Sequence, residues 1–148
     1  MPKRWILGFC VALGAILALA RPAAAQEAMA MPDADRAAIR RVIESQLQAF
    51  LSDDGGKAFS FATPAIQGMF QPPENFMEMV RKGYQPVYRA RAVSFKDIID
   101  LHGAPAQRVI VVGPDGVPVM AVYPMRRMPD GGWLIDGCYL LRFRNDDA

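Results

Sequence analysis

The sequence predicts an α+β fold: three N-terminal helices packed on a strongly curved antiparallel sheet of about four strands. Three observations lead there. Residues 33–52 set Ile39, Val42, Ile43, Leu47, Phe50 and Leu51 at the three-four spacing of one buried helical face. Every strand-like run lies after Tyr84, so helices precede strands. The chain then closes on two β-branched and aromatic runs, 117–125 and 133–143, around a Pro129-Asp130-Gly131-Gly132 turn, the pattern of a hairpin.

The first 25 residues stand apart. Lys3 and Arg4 precede an uncharged apolar run from Trp5 to Ala20, and Ala23-Ala24-Ala25 supplies small residues for cleavage before Gln26. The run is shorter than the roughly 20 residues that span a bilayer, so it reads as a cleaved secretory signal rather than a stable anchor. The expected location is therefore periplasmic or secreted. Cleavage removes three of the 17 basic residues and none of the 15 acidic ones, so net charge moves from +2 to −1. That balance gives no basis for nucleic-acid binding. Cys10 leaves with the signal, and Cys138 alone cannot close an internal disulfide. Stability must come from a core.

Residues 26–32 carry little pattern and read as a flexible lead to a single domain over 33–144. Asp33 or Asp35 is the expected cap of the first helix, with Asp53-Asp54-Gly55-Gly56 ending it in a left-handed glycine. Residues 57–70 form a compact second element, interrupted where Thr63-Pro64 restarts the helix as cap and first-turn proline. Glu74–Lys82 is the third helix, burying Phe76, Met77, Met79 and Val80, with Gly83 as its cap. Pro86–Phe95 reads as the first strand and Gln107–Val112 as the second, with a bulge or loop near His102 between them. The hairpin follows, and residues 145–148 are a polar tail.

Strict alternation along the last strand puts Trp133, Ile135, Gly137, Tyr139, Leu141 and Phe143 on one face. The opposite face holds Leu134, Asp136, Cys138, Leu140 and Arg142, also largely apolar. A half-solvated strand would show a polar second face. Either a second copy covers the outer face, as a homodimer through the sheet, or the sheet coils tightly enough to cover itself.

This order of elements, ending in Trp-x-Ile-x-Gly-Cys, resembles the nuclear-transport-factor-like (cystatin-like α+β) superfamily. More narrowly, Ala38 to Leu141 resembles the secreted proteobacterial domain-of-unknown-function family 4864. Ala38–Phe50, Phe61-Ala-Thr-Pro64 and Trp133-Leu-Ile-Asp-Gly-Cys138 carry the likeness. The superfamily implies a cone-shaped pocket between sheet and helices, frequent dimers, and functions from isomerases and dehydratases to binding modules. The narrower family implies no particular activity.

Several chemistries are excluded by residue count. One histidine and one cysteine after the signal cannot build a four-ligand Cys/His zinc site. Phosphate-binding glycine loops and the Gly-x-Ser-x-Gly nucleophile elbow do not occur. No metal and no cofactor is implied. Asp136 is the strongest catalytic candidate, since a carboxylate among Leu134 and Cys138 could serve as a general acid or base. The competing reading pairs it with Arg89, Arg91 or Arg126 on a neighbouring strand. His102 and Tyr139 are its candidate partners, and Tyr88, Tyr123 and Cys138 are pocket candidates. Asp97, Asp100 and His102 fit no ligand spacing and read as a polar loop. Met77, Met79, Met120, Met125 and Met128 suit core filling or an adaptable pocket. Arg126-Arg127 with Arg142 and Arg144 read as a solvated rim or an anion site. The expectation is an exported, non-catalytic module binding a small apolar ligand or a protein. The alternative is proton transfer in a cone-shaped pocket with Asp136 as base.

Overall fold

The computed structural model describes residues 28–143; the expected signal over 1–25 and the expected tail over 145–148 lie outside the described residues. Helix α1 (Asp33–Leu51) buries Ile39, Ile43, Leu47 and Phe50, as its spacing requires, and adds Gln46 to the same face. Its start differs from expectation. Pro32 holds the cap position without a side-chain bond, and Asp33 and Asp35 fall in the first turn, where the helix dipole favours acids. Its end differs too. Asp53, not a glycine, takes the positive φ of 52°, a conformation aspartate tolerates better than most residues. Asp54 then caps α2 (Gly55–Ser60), accepting from the Lys57 amide at 3.1 Å.

Thr63 and Pro64 act as predicted, opening α3 (Pro64–Phe70). Helix α4 (Pro73–Gly83) buries Phe76, Met77 and Val80, with Gly83 inside it and Tyr84 at the cap. The segment expected to begin the first strand is instead a short helix, α5 (Gln85–Tyr88). Pro86 sits in its first turn, where the missing N–H is not needed, and the Tyr88 amide closes on the Tyr84 carbonyl at 2.9 Å. The described residues thus hold five helices where three elements were expected.

The strands are β1 (Ala92–Leu101), β2 (Ala104–Val112), β3 (Pro118–Arg127), β4 (Trp133–Ile135) and β5 (Tyr139–Arg142). All pair antiparallel, β1-β2-β3-β4, with β5 also on β3. The sheet is curled but open. Asp97 and Asp100 therefore lie within a strand, and His102-Gly103 make a tight turn at φ 54° and 84°.

The last strand of the expected hairpin is broken. Met125 pairs with Ile135, but Val122 pairs with Tyr139, so Asp136, Gly137 and Cys138 oppose only Tyr123 and Pro124. One extra residue makes a β-bulge, and Gly137 meets it at φ 156°. Because side-chain direction has period two, the bulge reverses which residues face inward beyond it. Trp133 and Ile135 are buried before it; Cys138 and Leu140 pack on the core after it. Tyr139, Leu141 and Phe143 are exposed. The strict alternation does not hold, but apolar residues still lie on both sides, with Tyr139, Leu141 and Phe143 left outside.

The principal core fills the space between helices and sheet, from Ile39, Ile43 and Phe50 to Val109, Ala121, Tyr123 and Ile135. Ile99, Ala106 and Val122 form a second, small cluster on the other sheet face. The segment read as a flexible lead is tied down from Ala28 onward. Ala28 bridges to Ile99, and the Met29 amide donates to Ile98 at 2.7 Å. Arg36 holds the Met29 and Met31 carbonyls at 3.0 and 3.2 Å.

Candidate functional apolar pocket

Between α3, α4 and the inner sheet face lies a pocket of about 240 Å³. Helix α4 offers Phe76, Met79 and Val80 at three-four spacing, so one helical face serves as a wall. Phe50 comes from α1, Ile66 and Phe70 from α3, and Val87 from α5. Phe76 organises the wall, with Phe50 stacked at 6.2 Å and Phe70 edge-on at 6.3 Å. The sheet supplies Tyr123 and Ile135, and the bulge supplies Gly137 and Cys138. The bulge thus decides that Cys138 faces the pocket.

No charged side chain lines this space. Its polar side chains are Gln46, Tyr84, Tyr123 and Cys138. Gln46 donates to the Ala58 carbonyl at 3.1 Å, and the Tyr84 hydroxyl donates to the Cys138 carbonyl at 3.1 Å. The Tyr123 hydroxyl is fully buried and has no hydrogen-bond partner. Enclosure pushes the Cys138 thiol up to about 12, although the residue as a whole keeps some exposed surface. Burial likewise drives Tyr123 well above the ordinary phenol range, and raises Tyr84 with a smaller contribution from Cys138. All three stay protonated and neutral at physiological pH. The pocket holds no base.

A family model described as Domain of unknown function (DUF4864) matches residues 32–148. The chain belongs to this family. No curated protein and no solved structure matches it. Two of the segments that carried the family likeness meet in space. The Thr63 amide donates to the Ile135 carbonyl at 2.9 Å, and the Ile135 amide donates to Phe61 at 2.8 Å.

In this member of the family the predicted site residues scatter. Asp136 does not line the pocket. It accepts from Thr63 Oγ1 at 2.7 Å and pairs with Arg126 at 3.0 Å, the ion-pair reading with one of the three arginines proposed for it. His102 is exposed at the β1–β2 turn and Tyr139 is 58% exposed, and the side-chain partners of Asp136 are Thr63 and Arg126 instead. Tyr123 and Cys138 do line the pocket; Tyr88 does not. Tyr88 belongs to α5, where its hydroxyl donates to Asp53 and Arg89 stacks 3.9 Å from its ring centre. Other candidate charged groups are also engaged. Asp97 takes Arg108 and Asp100 accepts from Gly103, while Arg127 pairs with Asp35 at 2.6 Å. Among the described residues no His, Cys, Asp and Glu cluster is arranged to hold a metal. Of the methionines, Met79 lines the pocket.

Sequence reasoning missed Gln46 and Tyr84. Gln46 carried a signal, since a polar residue between Ile43 and Phe50 sits on the apolar stripe of α1. Tyr84 carried none, because its role depends on a carbonyl 54 residues away.

Proposed function

We propose that this protein is exported and that it binds a small apolar molecule without transforming it, as a module of the nuclear-transport-factor-like superfamily. The apolar, charge-free pocket between helices and sheet carries this reading. The order of helices before a curled open sheet supports the superfamily assignment. The basic and apolar leader supports export, and the family match begins beyond the predicted cut after Ala25. The proton-transfer alternative needs a base facing the pocket. Asp136 is held by Thr63 and Arg126 instead, and the tyrosines and thiol that do face it are poor bases.

Native mass spectrometry of protein recovered from the envelope of its own cell tests the proposal. The expected species lacks residues 1–25 and carries a small neutral adduct that solvent extraction removes. An intact N-terminus defeats the export reading, and a chain bare of adduct under gentle recovery defeats the ligand reading. The same spectrum shows whether a second copy covers the outer face that exposes Tyr139, Leu141 and Phe143.

A further inference from the structure

We infer that the pocket selects neutral molecules bearing one hydrogen-bond acceptor, a carbonyl or ether, which takes the proton of the Tyr123 hydroxyl while the apolar remainder packs against α4. The inference rests on the small-molecule reading above and adds the chemistry of the ligand.

The argument begins with the donors inside the pocket. Gln46 is tied to the Ala58 carbonyl and Tyr84 to the Cys138 carbonyl. Tyr123 is different: its ring is held in the core at 0% exposure, and its hydroxyl is the one buried side-chain polar atom among the described residues without a partner. Leaving a buried donor unsatisfied destabilises a fold, and native proteins rarely leave one idle. The adjacent Cys138 sulfur does not relieve it, since a thiol accepts weakly. An acceptor on a bound molecule would.

The rest of the lining sets the other limits. Without Lys, Arg or His on its walls, the pocket offers nothing to offset the desolvation of a carboxylate or phosphate. The upward displacement of the Cys138 and Tyr123 protons reflects the same hostility to negative charge. Size is bounded by the 240 Å³ available. A dry apolar cavity of about 150 Å³ in another protein holds benzene, so a substituted ring or a short branched chain fits here.

Three compounds of equal heavy-atom count separate the terms: acetophenone, its hydrocarbon analogue α-methylstyrene, and benzoate. Affinities are measured by calorimetry at neutral pH on the chain from residue 26 onward, for the unaltered protein and for Tyr123→Phe. That substitution removes only the unpartnered hydroxyl, so the variant is expected to fold. Acetophenone should bind about three- to tenfold more tightly than α-methylstyrene, the range of one net hydrogen bond. Tyr123→Phe should erase that preference while leaving α-methylstyrene unchanged, and benzoate should not bind. Ile66→Trp, which fills the pocket from α3, should abolish binding of both neutral compounds.

If the two neutral compounds bind equally, or the preference survives Tyr123→Phe, the assignment to Tyr123 is overturned while the small-molecule reading stands. Benzoate binding as tight as that of acetophenone overturns the neutral-ligand rule in the same way. Binding that persists in Ile66→Trp places the ligand elsewhere and overturns the inference. If none of the three binds, the small-molecule reading falls and takes the inference with it.

Discussion

Thr63 and Asp136, separated by 73 positions in sequence, meet through a 2.7 Å hydrogen bond from the Thr63 hydroxyl to the Asp136 carboxylate. Thr63 is nearly fully buried and also stands at the cap of α3, while Arg126 holds the other Asp136 oxygen at 3.0 Å. One hydroxyl therefore fastens the helical layer to the bulge that shapes the pocket. Thr63→Val should lower stability by about 1–2 kcal/mol, through the lost bond and the weakened cap, with Thr63→Ser retaining most of it. Urea unfolding of the two variants measures the difference. Equal stability of valine and serine variants would show that the bond contributes nothing.

Gly113, directly after β2, packs closely against Pro86 of α5. A Cβ there would stand 2.7 Å from the Pro86 Cα, a backbone atom that cannot swing aside. Gly113→Ala should destabilise the protein by about 1–3 kcal/mol, as overpacking does. The midpoint of urea denaturation reports it, and Gly116→Ala, at positive φ but with open space around it, serves as the comparison without a clash.

Cys138 should be chemically silent in the folded protein. Its thiol is pushed up to about 12 against an ordinary value of 9.0, because enclosure disfavours the thiolate that reacts. Ellman's reagent at pH 8 should label it only after denaturant is added. The same shift has a sign in stability. The folded state keeps its proton when the unfolded chain has released it, so this contribution is intact below about pH 9 and is lost as pH rises toward 12. Cys138→Ala should make the alkaline fall in melting temperature shallower. Tyr123 and Tyr84, shifted the same way, leave a residual slope.

Asp53 makes the acid-side counterpart. The Tyr88 hydroxyl first and Arg89 second hold its carboxyl below the usual carboxylate range. Its stabilising contribution is present above the ordinary value of 3.8 and disappears as pH falls through the lower folded value. Asp53→Asn keeps a residue tolerant of the left-handed backbone but cannot ionise. Its melting temperature should therefore vary less between pH 5 and pH 2 than that of the unaltered protein. Asp35, lowered by Arg127 and Trp133, and Glu78, lowered by Lys82, add further acid dependence.

The sequence by itself determined what depends on local periodicity and residue type. The three-four spacing of α1 and α4, the Thr63-Pro64 restart and the Pro129–Gly132 turn each act within a few residues, so each was legible in the chain. The lack of four Cys/His ligands for a zinc site and of the phosphate-binding glycine motifs was likewise legible from residue counts and spacing. Tertiary structure decided the rest, for a physical reason that recurs. Pro86–Tyr88 has strand-like residues, yet a turn of helix there packs Val87 and Tyr88 into the core. One additional residue between Ile135 and Tyr139 inverted the facing of all that follows, and no local propensity announces such a bulge. It sent Tyr139 and Leu141 outward and Cys138 inward, while Asp136, next to the buried Ile135, lies beside Thr63 and Arg126 rather than in the pocket. Which side chains share a cavity depends on pairing register, a property of two strands together; the pocket was expected only from the family resemblance, and of its polar lining Tyr123 and Cys138 were expected while Gln46 and Tyr84 were not.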